Sequence, residues 1–361
     1  MDDQLLDLYT DYLISSLGLV TATGLSTLLG GSVSHDKITR FLASKPHTAA
    51  DLWRIVKPFV RQIQSADGVM IIDDRIAEKP SSDENDIVCW HYDHAHDCVV
   101  KGINFLSCVY HVADLSLPVG FAVIAKTETY IDKKDGKHKR RSPITKNELY
   151  QTLLRQANQN QVPFRYVLND VWYSSADNMK FVKNTLKKDF IMLLKANRKV
   201  AVGLQAKLHG DFVRVDSLTL EPHTRLEVYL EGVDFPLFLV KQVYAANCRV
   251  NKDGSTGVQY LVTSDANLTA DEITTLYQKR WNVEPYHKSL KQNAALEKSP
   301  THTVTTQTNH LFAALCAFIK LEMLKVSTKL NHFALRAKLY LRALEVAYST
   351  LSALQPVRLA A

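Results

Sequence analysis

The chain has 361 residues, 46% of them hydrophobic and 22% charged, with a formal net charge of +7. A chain of this size and composition folds around a sizeable core and divides into two or three domains. No apolar run approaches the roughly 18 residues of a membrane span and the N-terminus is acidic, so we expect neither a span nor a signal peptide. The positive charge favours a polyanionic partner.

The cysteines are scattered and lack the CxxC spacing of a metal or redox site. This usage predicts reduced thiols in the cytosol. The five positions are Cys89, Cys98, Cys108, Cys248 and Cys316.

Residues 1–62 are predicted to be helical. A break at Gly30–Gly31, followed by a polar helix that opens at Ser34 or His35, is typical of a helix-turn-helix whose second helix faces DNA. A plain helical cap on a catalytic core is the alternative.

Two predicted strands end on carboxylates. Gly68–Asp74 is continuously apolar until it reaches Asp73 and Asp74, which predicts a buried strand, and Phe164–Asp170 repeats the pattern before a helix. Ligands commonly bind beyond the carboxyl ends of such strands. The pair therefore predicts an acidic site, for which Asp177 is a poorer candidate because it falls inside the following helix.

Between these strands the segment Cys89–Cys98 is rich in histidine and aspartate. Zinc usually takes its ligands from two paired elements, so we predict a polar strand and turn rather than a structural metal site. The runs 101–112 and 119–125 predict two further strands in an antiparallel meander.

Residues 132–146 form the most basic segment, with seven Lys or Arg among fifteen residues. Gly136 and Pro143 are expected to exclude a regular element, which predicts a flexible loop. Such a loop either follows a phosphate backbone or is merely solvated. A helix is predicted from Lys146 to Asn160.

After a predicted fifth strand at Phe190–Leu194, residues 196–264 consist of short alternating segments and turns. This texture predicts an all-β insertion. Asp170 and Glu284 are 114 positions apart, a span too long for one loop and long enough for an inserted subdomain.

A capping box at Thr269–Glu272 opens the helix that carries YQKRWNVEPYHKSLK, Tyr277–Lys291. In this stretch a lone carboxylate stands among cations, which suits a metal ligand beside a polyanion better than an acid–base catalyst. A solvated charged face is the alternative, and Pro285 is expected to break or kink the helix. On an unbroken helix one face would hold Tyr277, Arg280, Glu284, Lys288 and Lys291.

The spacing Tyr-x2-Arg-x3-Glu-x6-Lys is met in full by Tyr277, Arg280, Glu284 and Lys291. On this signature, with the two upstream aspartates, the chain resembles the IS4-type DDE transposases, a family that includes the Tn5- and Tn10-like enzymes. The resemblance extends over about residues 68–295. It implies an α/β, RNase H-like fold with a mixed five-stranded sheet, flanking helices, an all-β insertion and helical ends.

The resemblance implies that Asp74, Asp170 and Glu284 are the catalytic carboxylates and bind two Mg²⁺ ions, with Mn²⁺ as a substitute. Asp74 is preferred because an acid usually precedes the catalytic aspartate in this family, and Asp73 remains an alternative. The implied DNA contacts are Tyr277, Arg280 and Lys291, with Lys288 on the same predicted face.

The implied function is cut-and-paste movement of a bacterial insertion sequence. A homodimer would hydrolyse double-stranded DNA at the terminal inverted repeats and join the freed 3′-hydroxyl to target DNA, in the cytoplasm at the nucleoid. An RNase H-like endonuclease without end specificity and an inactive DNA-binding relic are the alternatives. The predicted organisation is a helical region at 1–62, a catalytic core at 63–195 and 265–300, the insertion at 196–264, and C-terminal helices within 301–361.

Overall fold

The computed structural model describes residues 2–93, 97–133, 136–243 and 257–354. His94, His96, Cys248 and the turn predicted at residues 252–255 lie outside these ranges. The α-helices are α1 (Asp3–Ser15), α2 (Ala22–Leu28), α3 (His35–Leu42), α4 (Ala49–Ile63), α5 (Lys146–Gln159), α6 (Ala176–Lys180), α7 (Gly203–His209), α8 (Ala270–Gln278), α9 (Val283–Asn293), α10 (Val304–Thr328) and α11 (His332–Leu354).

The strands lie between the four N-terminal helices and the four C-terminal helices, with α5, α6 and α7 among them. They are β1 (Val69–Glu78), β2 (Val88–Asp93), β3 (Cys98–Val112), β4 (Leu115–Val123), β5 (Glu128–Ile131), β6 (His138–Arg141), β7 (Tyr166–Asn169), β8 (Asp189–Leu194), β9 (Lys199–Val202), β10 (Val213–Arg214), β11 (Arg225–Leu230), β12 (Leu237–Val243) and β13 (Val258–Thr263). No helix in the described ranges is long and apolar enough to cross a bilayer.

The chain divides into two compact units. The first comprises Met1–Val56, Ile76–Ile103 and Tyr286–Ala361, and the second comprises Lys57–Arg75 and Asn104–Pro285.

A mixed sheet forms the core of the second unit. Its strands lie in the order β10-β9-β11-β12-β13-β8-β7-β1-β3-β2, and β4 also pairs with β3. β7 is parallel to both β1 and β8, and all four of its residues are buried. β7 is paired along both edges, and its side chains are buried on both faces of the sheet. Burial on both faces explains why its sequence is continuously apolar.

The predicted mixed sheet is present, but the prediction of five strands is wrong. Within the described ranges eleven strands share one sheet, because β13 pairs with β8 along Ile191–Leu194. The strands predicted as an insertion therefore continue the central sheet, and the short helix α7 lies among them. Alternation of apolar residues predicts a strand but does not determine which neighbour it pairs with.

The strand β1 runs further than predicted. It continues past Asp74 to Glu78, whereas its parallel partner β7 stops at Asn169. β1 keeps its other neighbour, β3, so the ladder persists on that side after β7 has ended. Asp73 and Asp74 consequently lie just beyond the carboxyl end of β7, with β3 still paired beside them.

The basic segment also departs from prediction, since His138–Arg141 is a strand that pairs with Glu128–Ile131 in a separate two-stranded sheet. Gly136 has a φ of 67°, a conformation that glycine adopts at little cost. The glycine therefore belongs to the turn of a hairpin and does not exclude regular structure.

In the first unit α10 is buried along much of its length, and α1 and α3 pack on it. The Tyr9 hydroxyl lies 3.0 Å from His310 Nδ1, and the Asn309 amide donates to the Leu42 carbonyl at 2.9 Å. Lys79 is buried in the same unit and donates to the carbonyls of Glu297 and Ser299.

The helices predicted in residues 1–62 are confirmed, and Ser34 is the N-cap of α3. Gly30 and Gly31 both have positive φ in the turn that precedes it. DNA binding by this region remains a prediction. The polar strand predicted near Cys89 is present as β2, and the predicted C-terminal helices are present as α10 and α11.

Candidate active site

The register between β1 and β7 brings two aspartates opposite each other. The paired ladder ends with Ile71 opposite Leu168, and continuing its register by two residues places Asp73 level with Asp170. The Asp170 charge acts on the Asp73 carboxyl, in agreement with this placement. Residues in register on parallel strands point to the same face of the sheet. Asp73 and Asp170 therefore share one face, and Asp74 points to the other.

Asp73 is surrounded by other carboxylates. Burial raises its pKa well above the ordinary value, and the charges of Asp170, Asp74 and Glu284 raise it further, while Arg280 opposes them. The only charge-stabilising contacts recorded for it in the described ranges are the backbone N–H of Asp74 at 3.0 Å and Arg280 Nη1 at 3.9 Å. Ionisation of the Asp73 carboxyl is therefore unfavourable unless a cation lies beside it.

Asp170 is the N-cap of a 3₁₀ turn, Val171–Tyr173, and its Oδ1 accepts the Trp172 backbone N–H at 2.9 Å. Burial raises the pKa of Asp170, and that hydrogen bond and the Arg280 charge oppose the rise. The turn fixes the direction of the carboxylate. It also leaves the Trp172 ring half exposed beside the site.

Asp74, the aspartate that the sequence favoured, has both oxygens occupied. Oδ2 accepts from Lys146 Nζ at 2.7 Å, and Oδ1 accepts from the Tyr173 hydroxyl at 2.6 Å. The Tyr173 ring stacks on Tyr150 at 5.3 Å between centroids, and the Tyr150 hydroxyl donates to Asn169 Oδ1 at 2.8 Å. Asp74 therefore belongs to a packed network that supports the Asp170 turn.

Sequence reasoning missed the side chains of this network. Lys146 was predicted only as the start of a helix, and nothing local distinguishes it from other helix-opening residues. The position of Tyr173, three residues after Asp170 in a short turn, was the one available signal.

Arg280 is the cation of the site. Its side chain is 10% exposed, and its guanidinium lies 4.8 Å from the Trp281 ring centroid and 5.9 Å from that of Tyr277. Within the described ranges its Nε has no hydrogen-bond partner. Tyr277, predicted to contact phosphate, is buried, and its hydroxyl points to the Asn169 carbonyl at 3.4 Å.

The signature stretch is not one continuous helix. α8 ends at Gln278, a 3₁₀ turn covers Lys279–Asn282, and α9 begins at Val283. Pro285 therefore lies in the first turn of α9, where a backbone N–H has no intrahelical partner to lose. The predicted break at Pro285 is wrong in position, because the helix is interrupted at Lys279–Asn282. The five residues therefore do not lie on one continuous helix, and among them Tyr277 and Arg280 are buried, whereas Glu284 and Lys288 are exposed.

The predicted residues at the end of the signature have different environments. Glu284 lies in the first turn of α9, and its charge reaches Asp73. In the first unit, Lys288 Nζ lies 5.2 Å from the Phe333 ring centroid, and Lys291 Nζ lies 2.9 Å from Glu297 and 3.6 Å from Glu78. Lys291 is thus ion-paired within the protein.

The donor chemistry of this site fits a hard divalent cation. Asp73, Asp170 and Glu284 offer only carboxylate oxygens. Burial first, and then neighbouring carboxylates, raise the pKa of Asp73 and Asp170, and the Arg280 charge opposes that rise. Across the described residues, no three His, Cys, Asp or Glu side chains are gathered in metal-binding geometry.

Two family models match the chain. One is described as DDE superfamily endonuclease and matches residues 3–208, and the other is described as Transposase DDE domain and matches residues 144–319. The first covers more than half of the sequence, so the chain belongs to the DDE superfamily of endonucleases. The transposase match spans the part of the chain that holds Asp170 and Glu284, and together the two matches identify a transposase or endonuclease of the DDE type.

Comparison with other proteins adds little to these matches. No curated protein matches the sequence at a significant level. Among solved structures, the Drosophila P element transposase strand transfer complex matches with 8% identity and a TM-score of 0.29, covering 56% of this chain and 45% of that chain.

Proposed function

We propose that the protein is a cut-and-paste DNA transposase of the IS4 type that hydrolyses the ends of a bacterial insertion sequence and joins them to target DNA. The observation that carries the proposal is the placement of Asp73 level with Asp170 by the register of β1 and β7. The Glu284 charge also acts on Asp73, and the Arg280 guanidinium lies beside Asp73. This is the arrangement of acids and a cation that phosphoryl transfer requires.

Asp73 is our proposed first carboxylate, in place of Asp74. Both oxygens of Asp74 already accept short hydrogen bonds, one of them from the Lys146 ammonium, whose positive charge would compete with a divalent cation. Asp73 shares a face with Asp170, whereas Asp74 does not. We propose that Asp74 has a structural role and holds the Lys146 and Tyr173 side chains in place.

Asp73, Asp170 and Glu284 would hold divalent cations, and Mg²⁺ is proposed because it prefers carboxylate oxygen, with Mn²⁺ as a substitute. When bound, such ions supply the Lewis acidity for in-line displacement at phosphorus. Arg280 orients and neutralises the phosphate, since its guanidinium faces the acidic site and its Nε has a hydrogen bond to give. The buried ring of Tyr277 holds Arg280 in place rather than contacting DNA.

The rest of the proposal concerns partners. Helix α3 exposes Lys37 and Arg40, which suits an element that reads the terminal repeats of double-stranded DNA. Lys288, which is exposed on α9, is retained as a DNA contact, whereas Lys291 must first leave Glu297. Synapsis of two ends implies a homodimer acting at the nucleoid of a bacterial cell.

The test is cleavage of a DNA fragment that carries the flanks of the gene, with Mg²⁺ or Mn²⁺, by the wild type and by Asp73→Asn and Glu284→Gln. Nicking at a defined flank that both variants lose supports the transposase. Cutting without end preference indicates an endonuclease. Binding without cutting, equal in all three proteins, contradicts catalysis and leaves a DNA-binding relic.

A further inference from the structure

We propose that the hairpin β5–β6 is an arm that lies in a groove of double-helical DNA within about one helical turn of the cleaved phosphate. The inference rests on the proposed function, because it assigns to this hairpin the part of the substrate next to the cleaved end.

The hairpin is a two-stranded ribbon that pairs with no other strand in the described part of the chain. Every β5 residue is exposed, and the β6 residues are exposed or half-exposed. A ribbon of two strands fits the major groove of B-DNA, which is about 12 Å wide. The ribbon therefore has a shape that can enter a groove, and in the described part of the chain it is not part of a larger sheet.

Cations occupy both faces of the ribbon. Thr129 pairs across the strands with Arg140, and Tyr130 pairs with Lys139, so the two basic side chains project from opposite faces. DNA lines a groove with phosphates on both sides, and a ribbon that lies in the groove meets both rows. The charge distribution matches that setting better than it matches a single flat anionic surface.

Contacts within the ribbon stabilise its conformation before any ligand is bound. Arg141 pairs with Glu128 at 2.9 Å and lies 5.6 Å from the Tyr130 ring centroid, and Lys139 is ion-paired with Asp132. These contacts reduce the ordering cost that a flexible basic loop would meet on binding. Ile131, which is 60% exposed at the turn end of β5, offers an apolar contact of the kind that thymine methyl groups accept.

The chain places the ribbon close to the candidate active site. Only residues 142–145 separate β6 from Lys146, whose ammonium lies 2.7 Å from Asp74. Five extended residues span at most about 18 Å, which is the rise of about five base pairs at about 3.4 Å each. A ribbon rooted at that distance reaches DNA within one turn of the phosphate that the site would cut.

The experiment measures binding of a duplex that carries the gene's flank to cleavage-inactive Glu284→Gln protein at several salt concentrations. The ribbon variant adds Lys137→Gln and Arg140→Gln, which leave the ion pairs of Lys139 and Arg141 intact. The matched control adds Lys195→Gln and Lys199→Gln, for the same change in net charge. Both lysines are exposed, and the first directly follows β8 while the second opens β9. Thermal melting establishes that both proteins are folded.

The expected result is a slope of log Kd against log salt that falls by about 1.8 in the ribbon variant, from about 0.9 per lost phosphate contact, and is unchanged in the control. Hydroxyl-radical protection within about ten base pairs of the cleaved flank should also disappear in the ribbon variant alone. Equal slopes in the ribbon variant and the control overturn the inference.

The ribbon and the proposed function fail separately. Wild-type protein that nicks the flank while the ribbon variant binds like the control contradicts the ribbon assignment only. Wild-type protein that never nicks, with the slope lowered by the ribbon substitutions, contradicts the transposase and leaves the ribbon as a DNA-binding arm.

Discussion

The adjacent aspartates of β1 should respond in opposite ways to the same substitution. Asp73→Asn removes a carboxylate whose pKa is raised by burial and by three neighbouring acids, so the amide relieves repulsion as well as removing a proposed ligand. Asp74→Asn instead removes the anion that Lys146 and Tyr173 bind. We expect the first change to abolish cleavage and the second mainly to destabilise the fold.

The structure sets the size of both effects. Asp74 and Lys146 are 19% and 30% exposed, so their pair is partly desolvated, and losing it with a weakened Tyr173 bond should cost about 2 kcal/mol. For units of this size that lowers Tm by about 4–8 °C. Asp73→Asn should leave Tm unchanged or raise it, by about 1 kcal/mol at most, while slowing cleavage at least about 1,000-fold, equivalent to about 4 kcal/mol.

The assay combines thermal melting without added metal and single-turnover cleavage of the flank fragment with Mg²⁺. Asp177→Asn is the matched control, since that carboxylate is 82% exposed and pairs only with Lys180 in the contacts described. It should keep both Tm and rate. Abolished cleavage with unchanged Tm in Asp74→Asn, together with cleavage retained in Asp73→Asn, would refute the assignment and restore Asp74 as the ligand.

Three further changes test other features. Arg280→Gln should slow cleavage at least about tenfold and weaken binding of the flank duplex, because the guanidinium beside Asp73 is the buried cation of the site; Arg280→Lys should restore binding only in part. Pro285→Ala should change the free energy of unfolding by less than about 0.5 kcal/mol in urea titrations, because a first-turn N–H has no intrahelical bond to restore. Burial lowers the pKa of Lys79 from 10.5 to about 8, so the unfolded chain binds the extra proton between those values. The contribution of Lys79 to the free energy of unfolding therefore rises from pH 8 to 10.5, by up to about 3 kcal/mol, and the difference between wild type and Lys79→Met should follow it.

Each of these has a contrary outcome. Unchanged cleavage in Arg280→Gln would remove the guanidinium from the proposed mechanism. A gain of about 3 kcal/mol in Pro285→Ala would mean that the proline strains a helix interior. A difference between wild type and Lys79→Met that stays flat from pH 8 to 10.5 would mean that Lys79 keeps an ordinary pKa in the folded protein.

Local patterns predicted much of the fold. Most helices and strands follow from periodicity and caps within a few residues, such as the capping box at Thr269. The hairpin was missed because a glycine among basic residues was interpreted as a breaker, although a positive φ at Gly136 is what its turn uses. Local sequence therefore predicted helices and strands better than it predicted the turns between them.

The parts that the sequence did not predict depend on pairing. Which of Asp73 and Asp74 faces Asp170 depends on the register of two strands almost a hundred residues apart in the chain. The same holds for β13, whose partner β8 is set by the sheet and not by its own alternation. The signature from Tyr277 to Lys291 indicated the DDE superfamily that the family models also match, but its shared helical face assumed a constant phase that the 3₁₀ turn interrupts.

The alternation in β1 also limits which length changes the strand can tolerate. Deleting one residue between Val69 and Asp73 would bring Asp74 opposite Asp170 and leave Lys146 without its anion, and inserting one residue would bring Ile72 there instead. A substitution in this strand alters one contact, whereas an insertion or deletion exchanges the roles of its two faces. Natural variants of β1 should therefore differ in composition but keep its residue count up to Asp73.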